Sequence, residues 1–261
     1  MNLSQWILAV GLALLIVAPA FLLRWLTFGG AMAAFCIGAA VFGAGGWRAS
    51  VPLLLFFLSS NALGRVGRNR KREIQEDFAE ENRDWAQVLA NGAVGTLCCL
   101  WAYYDYNPHA LGAFIGAFAA ANADTWATEI GILVGRNPFN IATGQPAEPG
   151  VSGAVTFQGW GAAIAGGIVV GMSGLLWHSW AAPFKFGLIG WAASLVDSLL
   201  GATFQARYFC SICGKTLEKS TCCGQCSIKV SGLKWMTNDT VNLFCTLTGA
   251  ILGLFVPITI G

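Results

Sequence analysis

Charge is what this sequence lacks most. Only 11% of its 261 residues are Asp, Glu, Lys or Arg, against about 25% in an average soluble domain. A solvated globular surface is hard to build from so few charges. Nucleotide-binding signatures are missing too. Neither G-x-x-x-x-G-K-[ST] nor G-x-G-x-x-G occurs, so any nucleotide must be held by another device. No basic residue precedes the first apolar stretch, and no convincing cleavage site follows it. That argues against a signal peptide and for a retained span. No internal repeat is obvious.

Apolar sequence is abundant instead. Hydrophobic residues make up 56% of the chain, with 33 glycines and 11 tryptophans. Glycine lets membrane helices pack closely, and tryptophan favours the membrane interface. Eight apolar stretches run roughly Trp6–Leu23, Ala31–Gly46, Val51–Val66, Ala86–Tyr104, Ala110–Val134, Ser152–Trp177, Phe184–Ala206 and Thr240–Ile260. A straight span needs about 20 residues. The second and third stretches are shorter, which suits tilted, re-entrant or internally packed segments.

The net charge of +2 decides little, but the placement of the basic residues decides more. If all eight stretches cross, one side receives Arg24, Arg65, Arg68, Arg70, Lys71, Arg72, Arg83, Arg136, Arg207, Lys215, Lys219, Lys229 and Lys234. The other receives only Arg48 and Lys185. The positive-inside rule then places the three long loops in the cytoplasm and both termini outside.

Those loops differ in character. Gly67–Trp85 is densely charged and reads as a solvated helical extension, or as a place where Arg65 and its neighbours meet anionic lipid or phosphate. Arg65 follows Asn61 by four residues, so both face one side of a helix end. Arg136–Val151 holds three prolines and two glycines and reads as a turn-rich connection. Ser152 or Gly150 is placed to cap the next helix, whose backbone N–H groups would make an anion site; a plain turn is the competing reading. Arg207–Lys234 holds Cys210-x-x-Cys213 and Cys223-x-x-Cys226, with Cys222 adjacent. Two such pairs suit a tetrahedral, structural Zn²⁺ knuckle in a reducing cytoplasm. The spacing leaves Cys222 and Cys223 both open as ligands. Cys36, Cys98, Cys99 and Cys245 lie in apolar stretches and read as packing residues.

Acidic residues inside spans cost about 2.5–3.5 kcal/mol each on insertion scales. This chain has Asp124 and Glu129 in the fifth stretch, Asp197 in the seventh and Asp239 at the start of the eighth, where it suits an N-terminal cap. Asp124 and Thr128 are four apart, as are Thr125 and Glu129, so they share a polar helix face. Asp197 and Gly201 share another, where the glycine leaves room for a close neighbour. Gln87 and Asn91 form a further pair four apart. Carboxylates with amide and hydroxyl partners suit Mg²⁺, which in turn suits phosphate. An ion pathway would use similar residues, so spacing alone does not separate a kinase from a transporter.

At these residues the sequence resembles a known family. ADTWATEIG (Ala123–Gly131), DSLLGAT (Asp197–Thr203), NDTVN (Asn238–Asn242) and the turn-rich Pro146–Gly159 are similar to a widespread membrane-protein family that includes plant phytyl-phosphate kinase and human transmembrane protein 19. The resemblance runs from about Ser59 to the C-terminus. It implies a kinase that converts a prenyl monophosphate to the diphosphate using a nucleoside triphosphate, with CTP a weaker inference. The cysteine-rich loop is not shared across that family, which argues against a catalytic role for it.

The expectation is therefore an all-α polytopic bundle of about eight helices, a single domain over 1–261. A small cysteine-rich cytoplasmic loop at 207–234 carries the zinc knuckle. Asp124, Glu129, Asp197 and Asp239 are the expected catalytic, Mg²⁺-holding set. Asn61, Arg65, Asn91, Asn122, Thr125, Thr128, Ser152, Gly153, Ser198, Gly201, Arg207, Asn238 and Asn242 are expected to contact substrate or nucleotide, with Arg136 a further phosphate partner. Cys210, Cys213, Cys223 and Cys226 are the expected Zn²⁺ ligands. The expected partners are a prenyl phosphate, a nucleoside triphosphate and membrane lipid, with no nucleic acid. The competing functions are a transporter or flippase of a phosphorylated lipid, and a CTP-dependent nucleotidyltransferase.

Overall fold

A computed structural model describes residues 3–67 and 82–259. Arg68, Arg70, Lys71 and Arg72, and with them most of the charged Gly67–Trp85 segment, lie outside the described residues.

The molecule is mostly helical. Among the described residues seven α-helices follow one another: α1 (Leu3–Leu22), α2 (Phe28–Arg65), α3 (Trp85–Tyr104), α4 (Pro108–Val134), α5 (Phe157–Gly171), α6 (Ala182–Thr203) and α7 (Asn238–Gly253). A 3₁₀ turn, Met172–Trp177, extends α5. Five of these described segments are long and apolar enough to cross a membrane: α1, α2, α3, α5 with its 3₁₀ extension, and α6. In hydrocarbon every backbone polar group needs an internal partner, which a helix supplies within its own segment.

The second and third apolar stretches are joined within α2. A straight helix of its 38 residues would be about 57 Å long. Instead Gly46 leaves helical geometry at φ 63° and ψ −157°, a left-handed backbone that glycine adopts without penalty. The chain folds back there. Trp25, just before α2 begins, stacks against Phe57 at 6.0 Å and lies 4.0 Å beneath the guanidinium of Arg65, at the far end of α2. Both ends of α2 thus meet at one end of the molecule.

Helix α4 is the axis. Every residue from Ala110 to Ala123 is buried, and Asn107 caps its start through the backbone N–H groups of His109 and Ala110. Its neighbour α7 packs backbone to backbone. Gly112 and Gly116 face Gly253 and Gly249, and a Cβ on any of the four would run into a carbonyl oxygen opposite. Such paired small-x-x-x-small patterns let two membrane helices approach closely. Asn122 ties three helices together. Its side-chain oxygen accepts from the Ser59 and Ser60 hydroxyls of α2 at 2.8 and 3.0 Å, and its amide donates to Gly166 O of α5 at 2.8 Å.

Two expected helix starts shift. Helix α5 begins at Phe157, not Ser152. Its cap is Thr156, whose hydroxyl accepts from Gly159 N, rather than Ser152 or Gly150. Residues 154–155 instead form β2 (Ala154–Val155), which pairs antiparallel with β1 (Phe139–Asn140). Helix α7 begins at Asn238 behind a Thr237 cap, so Asp239 lies within its first turn instead of capping it. The cysteine-rich loop is a small β structure. β3 (Arg207–Phe209) lies between β4 (Thr216–Leu217) and β7 (Ile228–Ser231), and β5 (Thr221–Cys222) pairs with β6 (Gln225–Cys226) in a separate hairpin.

Candidate functional site

The helix ends that converge on one side of the bundle surround a cavity of about 2220 Å³. Its wall takes residues from the ends of α2, α4 and α6, the starts of α3, α5 and α7, and the loop between β4 and β5. Asn61, Arg65, Asn91, Asp124, Thr125, Thr128, Glu129, Ser152, Gly153, Asp197, Ser198, Gly201, Arg207, Asn238, Asp239 and Asn242 all line it. Positions far apart in sequence therefore share one chamber.

Asp124 of α4 and Asp197 of α6 are its chemical centre. One oxygen of each lies within 4.8 Å of the other and of the Cys245 sulfur on α7. Asp197 Oδ2 is buried without a hydrogen-bond partner. Two carboxylates held this close repel unless they share a proton or a cation lies between them. Their hard oxygens, one of them orphaned, suit a Mg²⁺-type ion. Cys245, expected only to pack, lies beside the pair and donates to Ala120 O at 3.9 Å.

The expected cluster of four carboxylates separates into parts. Only Asp124 and Asp197 approach one another as potential ligands. Glu129 lies where α4 passes the end of α2: a Cβ on Gly64 would be 3.5 Å from its Oε1. Its charge acts on Arg83. Asp239 instead shares its surroundings with Asp84. The reason is helix geometry: Glu129 follows Asp124 by five residues, which is more than a full turn.

Arg83 is a site residue that the sequence did not single out. It belongs to the charged loop, but its backbone is bound to the turn between α1 and α2. Arg83 N donates to Trp25 O and Arg83 O accepts from Thr27 N, both at 3.1 Å. Gly30 makes room, since a Cβ there would collide with Arg83 O. Burial pushes the guanidinium below its ordinary value; Glu129 counters this and Arg65 adds to it. Two guanidinium groups near enough to repel each other thus stand at the cavity wall, with Glu129 acting on Arg83, a locally positive setting suited to phosphate.

A second group closes the other side. The Ser152–Gly153 turn sits on α6 at Gly201, where a Cβ would come within 3.3 Å of Ser152 Cβ and 3.4 Å of Gly153 N. Gly153 itself has φ 83° and faces Ala202 so closely that no side chain fits. The close neighbour expected at Gly201 is thus this turn. Arg207 donates to Ser152 O at 2.8 Å, and the Ser152 hydroxyl donates to Glu218. Glu218 also accepts from the buried Gln205 amide at 2.7 Å. Neither Glu218 nor Gln205 carried a sequence signal, because the loop that unites them is irregular.

Two expected contacts fall outside. Asn122 does not line the cavity: it is fully buried with both ends of its amide in use. Arg136 does not line it either, and its backbone N–H donates to Gln158.

The cysteines gather at the outer edge. The sulfurs of Cys210, Cys213, Cys222 and Cys223 lie within 4.8 Å of one another. Cys226 is not among them. It pairs with Thr221 across the hairpin while Cys222 pairs with Gln225, so strand alternation turns Cys226 to the opposite face from Cys222. The backbone N–H of Cys213 holds the Cys210 thiol down to about 7 against the effect of burial. Burial pushes the Cys222 thiol up to about 12.

The chain can be set beside known proteins. The profile of the integral membrane protein family DUF92 matches residues 11–250. Protein PGR of Arabidopsis thaliana is 32% identical over 275 residues, covering 94% of this chain and 94% of that protein. An uncharacterized membrane protein of Methanocaldococcus jannaschii is 30% identical over 216 residues, covering 82% and 79%. Protein VTE6, chloroplastic, of Arabidopsis thaliana is 22% identical over 256 residues, covering 94% and 69%. No solved structure matches the chain.

Proposed function

The chain belongs to the DUF92 family of integral membrane proteins, and from that premise we propose that it is a membrane-embedded kinase converting a prenyl monophosphate to the diphosphate. The observation that carries this reading is the Asp124–Asp197 pair, with its orphaned oxygen, in a chamber that Arg65, Arg83 and Arg207 also line. The resemblance to a family containing phytyl-phosphate kinase supplies the substrate class.

In this reading Asp124 and Asp197 would hold Mg²⁺, which would supply charge neutralisation for the nucleotide phosphates. Arg65 and Arg83 pair with phosphate oxygens on the α2 side, with Glu129 setting their position. Arg207, anchored to Ser152 O, keeps the Ser152–Gly153 turn against α6. An oxygen of the lipid monophosphate attacks the terminal phosphorus of the nucleotide. The new O–P bond forms as the bridging P–O bond breaks, and a nucleoside diphosphate departs. The acceptor is already anionic, so no strong general base is needed. The prenyl tail lies between helices, and the head group meets the nucleotide on the cytoplasmic side, where the basic residues concentrate.

Purified protein in lipid nanodiscs, given geranylgeranyl or phytyl phosphate, Mg²⁺ and each nucleoside triphosphate in turn, tests this. The expected products are prenyl diphosphate and nucleoside diphosphate in equal amounts. Pyrophosphate release instead identifies a nucleotidyltransferase. Lipid movement across vesicles without nucleotide consumption identifies a transporter. Full activity in Asp124→Asn defeats the site assignment.

A further inference from the structure

We propose that Cys210, Cys213, Cys222 and Cys223 together bind one thiophilic divalent cation of the Zn²⁺ class, and that this ion clamps the strap carrying Glu218 against the chamber. Tetrahedral geometry with Zn–S bonds of about 2.3 Å sets neighbouring sulfurs about 3.8 Å apart. Cys213 and Cys222 are 3.6 Å apart, as are Cys222 and Cys223, and all four sulfurs fall within 4.8 Å.

Two turns of different construction present these thiols. Around Cys210 the chain closes through Gly214 N donating to Cys210 O and Cys210 N donating to Lys215 O, both at 2.9 Å, with Gly214 at φ 70°. At the second, Cys223 and Gly224 both take positive φ, 50° and 74°, the signature of a tight two-residue hairpin turn. That turn brings adjacent cysteines to one side, which the spacing of a C-x-x-C pair alone would not suggest. Four sulfur donors with no carboxylate or imidazole select a soft or borderline ion over Mg²⁺. Four thiolates also leave no open coordination position, so the ion is structural.

What it holds is the connection between the two turns. That connection contains Glu218, which accepts from Ser152 and Gln205, and its Lys215 and Lys219 line the cavity. The strands within it are two residues each, too short to be stable alone. A metal tie at the root supplies order that the sheet cannot.

The test uses the whole protein, purified without a metal-affinity step, with zinc measured per chain by mass spectrometry. One zinc per chain is expected. Cys210→Ser and Cys223→Ser each lose it, while Cys226→Ser keeps it. Cobalt exchanged into the wild type should show the intense thiolate charge-transfer and visible bands of a tetrahedral four-sulfur site. Chelation should speed tryptic cleavage after Lys215 and Lys219 several-fold in the otherwise folded protein, a readout that does not depend on any variant folding. A wild type without metal, retention in Cys210→Ser, or loss in Cys226→Ser overturns the ligand set. Unchanged tryptic cleavage after metal removal overturns the clamp. None of these measurements needs substrate, so failure here and failure of the kinase reading are distinguishable.

Discussion

Asp124 and Asp197 face each other, each with a carboxylate oxygen within 4.8 Å of the other and of the Cys245 sulfur. Neutralising one should act in two opposite ways. In Asp124→Asn or Asp197→Asn, phosphoryl transfer should fall roughly 10²–10³-fold, the loss typical of removing one preorganised charge contact. Stability in chelator should stay level or rise, because a repulsion has been removed. The wild type, by contrast, should gain about 2.7 kcal/mol when Mg²⁺ reaches 100 times its Kd, and the variants should not. Thermal unfolding with and without Mg²⁺ reads both effects. Asn122 predicts the reverse pattern. Asn122→Ala leaves the Ser59 and Ser60 hydroxyls without their acceptor and Gly166 O without its donor in a buried place, a cost of about 1–3 kcal/mol. Denaturation in detergent should show that loss, with KM for nucleotide little changed. The two residues are separated by a single position in sequence and looked alike there. What distinguishes them is which side of α4 each occupies, and that depends on the neighbouring helices.

At the scale of elements, glycine carries the packing. Gly116→Val or Gly249→Val places a side chain against a carbonyl oxygen and should cost about 1–3 kcal/mol or prevent assembly. Gly161→Ala, which meets nothing within 4 Å, should instead gain about 0.5–1 kcal/mol from helix propensity. Unfolding curves of the pair separate packing from propensity. Six of the eight apolar stretches fall in helices long and apolar enough to cross a membrane, legible because hydropathy reports the solvent around a helix; the fifth and eighth do not. The reversal at Gly46 was visible only as two stretches of awkward length, since one left-handed residue leaves no hydrophobic pattern. The position of Arg83 was not legible, because it depends on a bridge from a loop to the turn between α1 and α2. The C-x-x-C spacing identified the cysteine-rich loop but did not foresee that Cys226 stands apart from the other four thiols: a strand alternates faces, and spacing cannot say whether a pair sits on a turn or across a hairpin.

For the whole molecule, Arg24, Arg65, Arg83, Arg207, Lys215 and Lys219 all line the chamber, which motivates the proposed orientation. Reporter fusions test it. A reporter active only outside should be active at the N-terminus, and one active only inside should be active within the Arg136–Val151 loop. Opposite results would reverse the orientation while leaving the chemistry intact. The charge count bears on orientation only at this scale, because it sums over every loop. No single residue reveals which side it faces.

The glycine contact between α4 and α7 has a mechanical consequence. Where backbone touches backbone there are no rotamers to change, so those two helices move as one stiff post. A lipid arriving sideways from the bilayer must then pass where side chains can swing. That place is the turn before α2, where the Trp25 ring meets Phe57 and Arg65 from the far end of the folded α2. The chamber thus has a jamb and a door. A covalent link joining α4 to α7 should leave turnover as it was, while one pinning the Trp25 turn to the end of α2 should trap the lipid on whichever side of the door it stood.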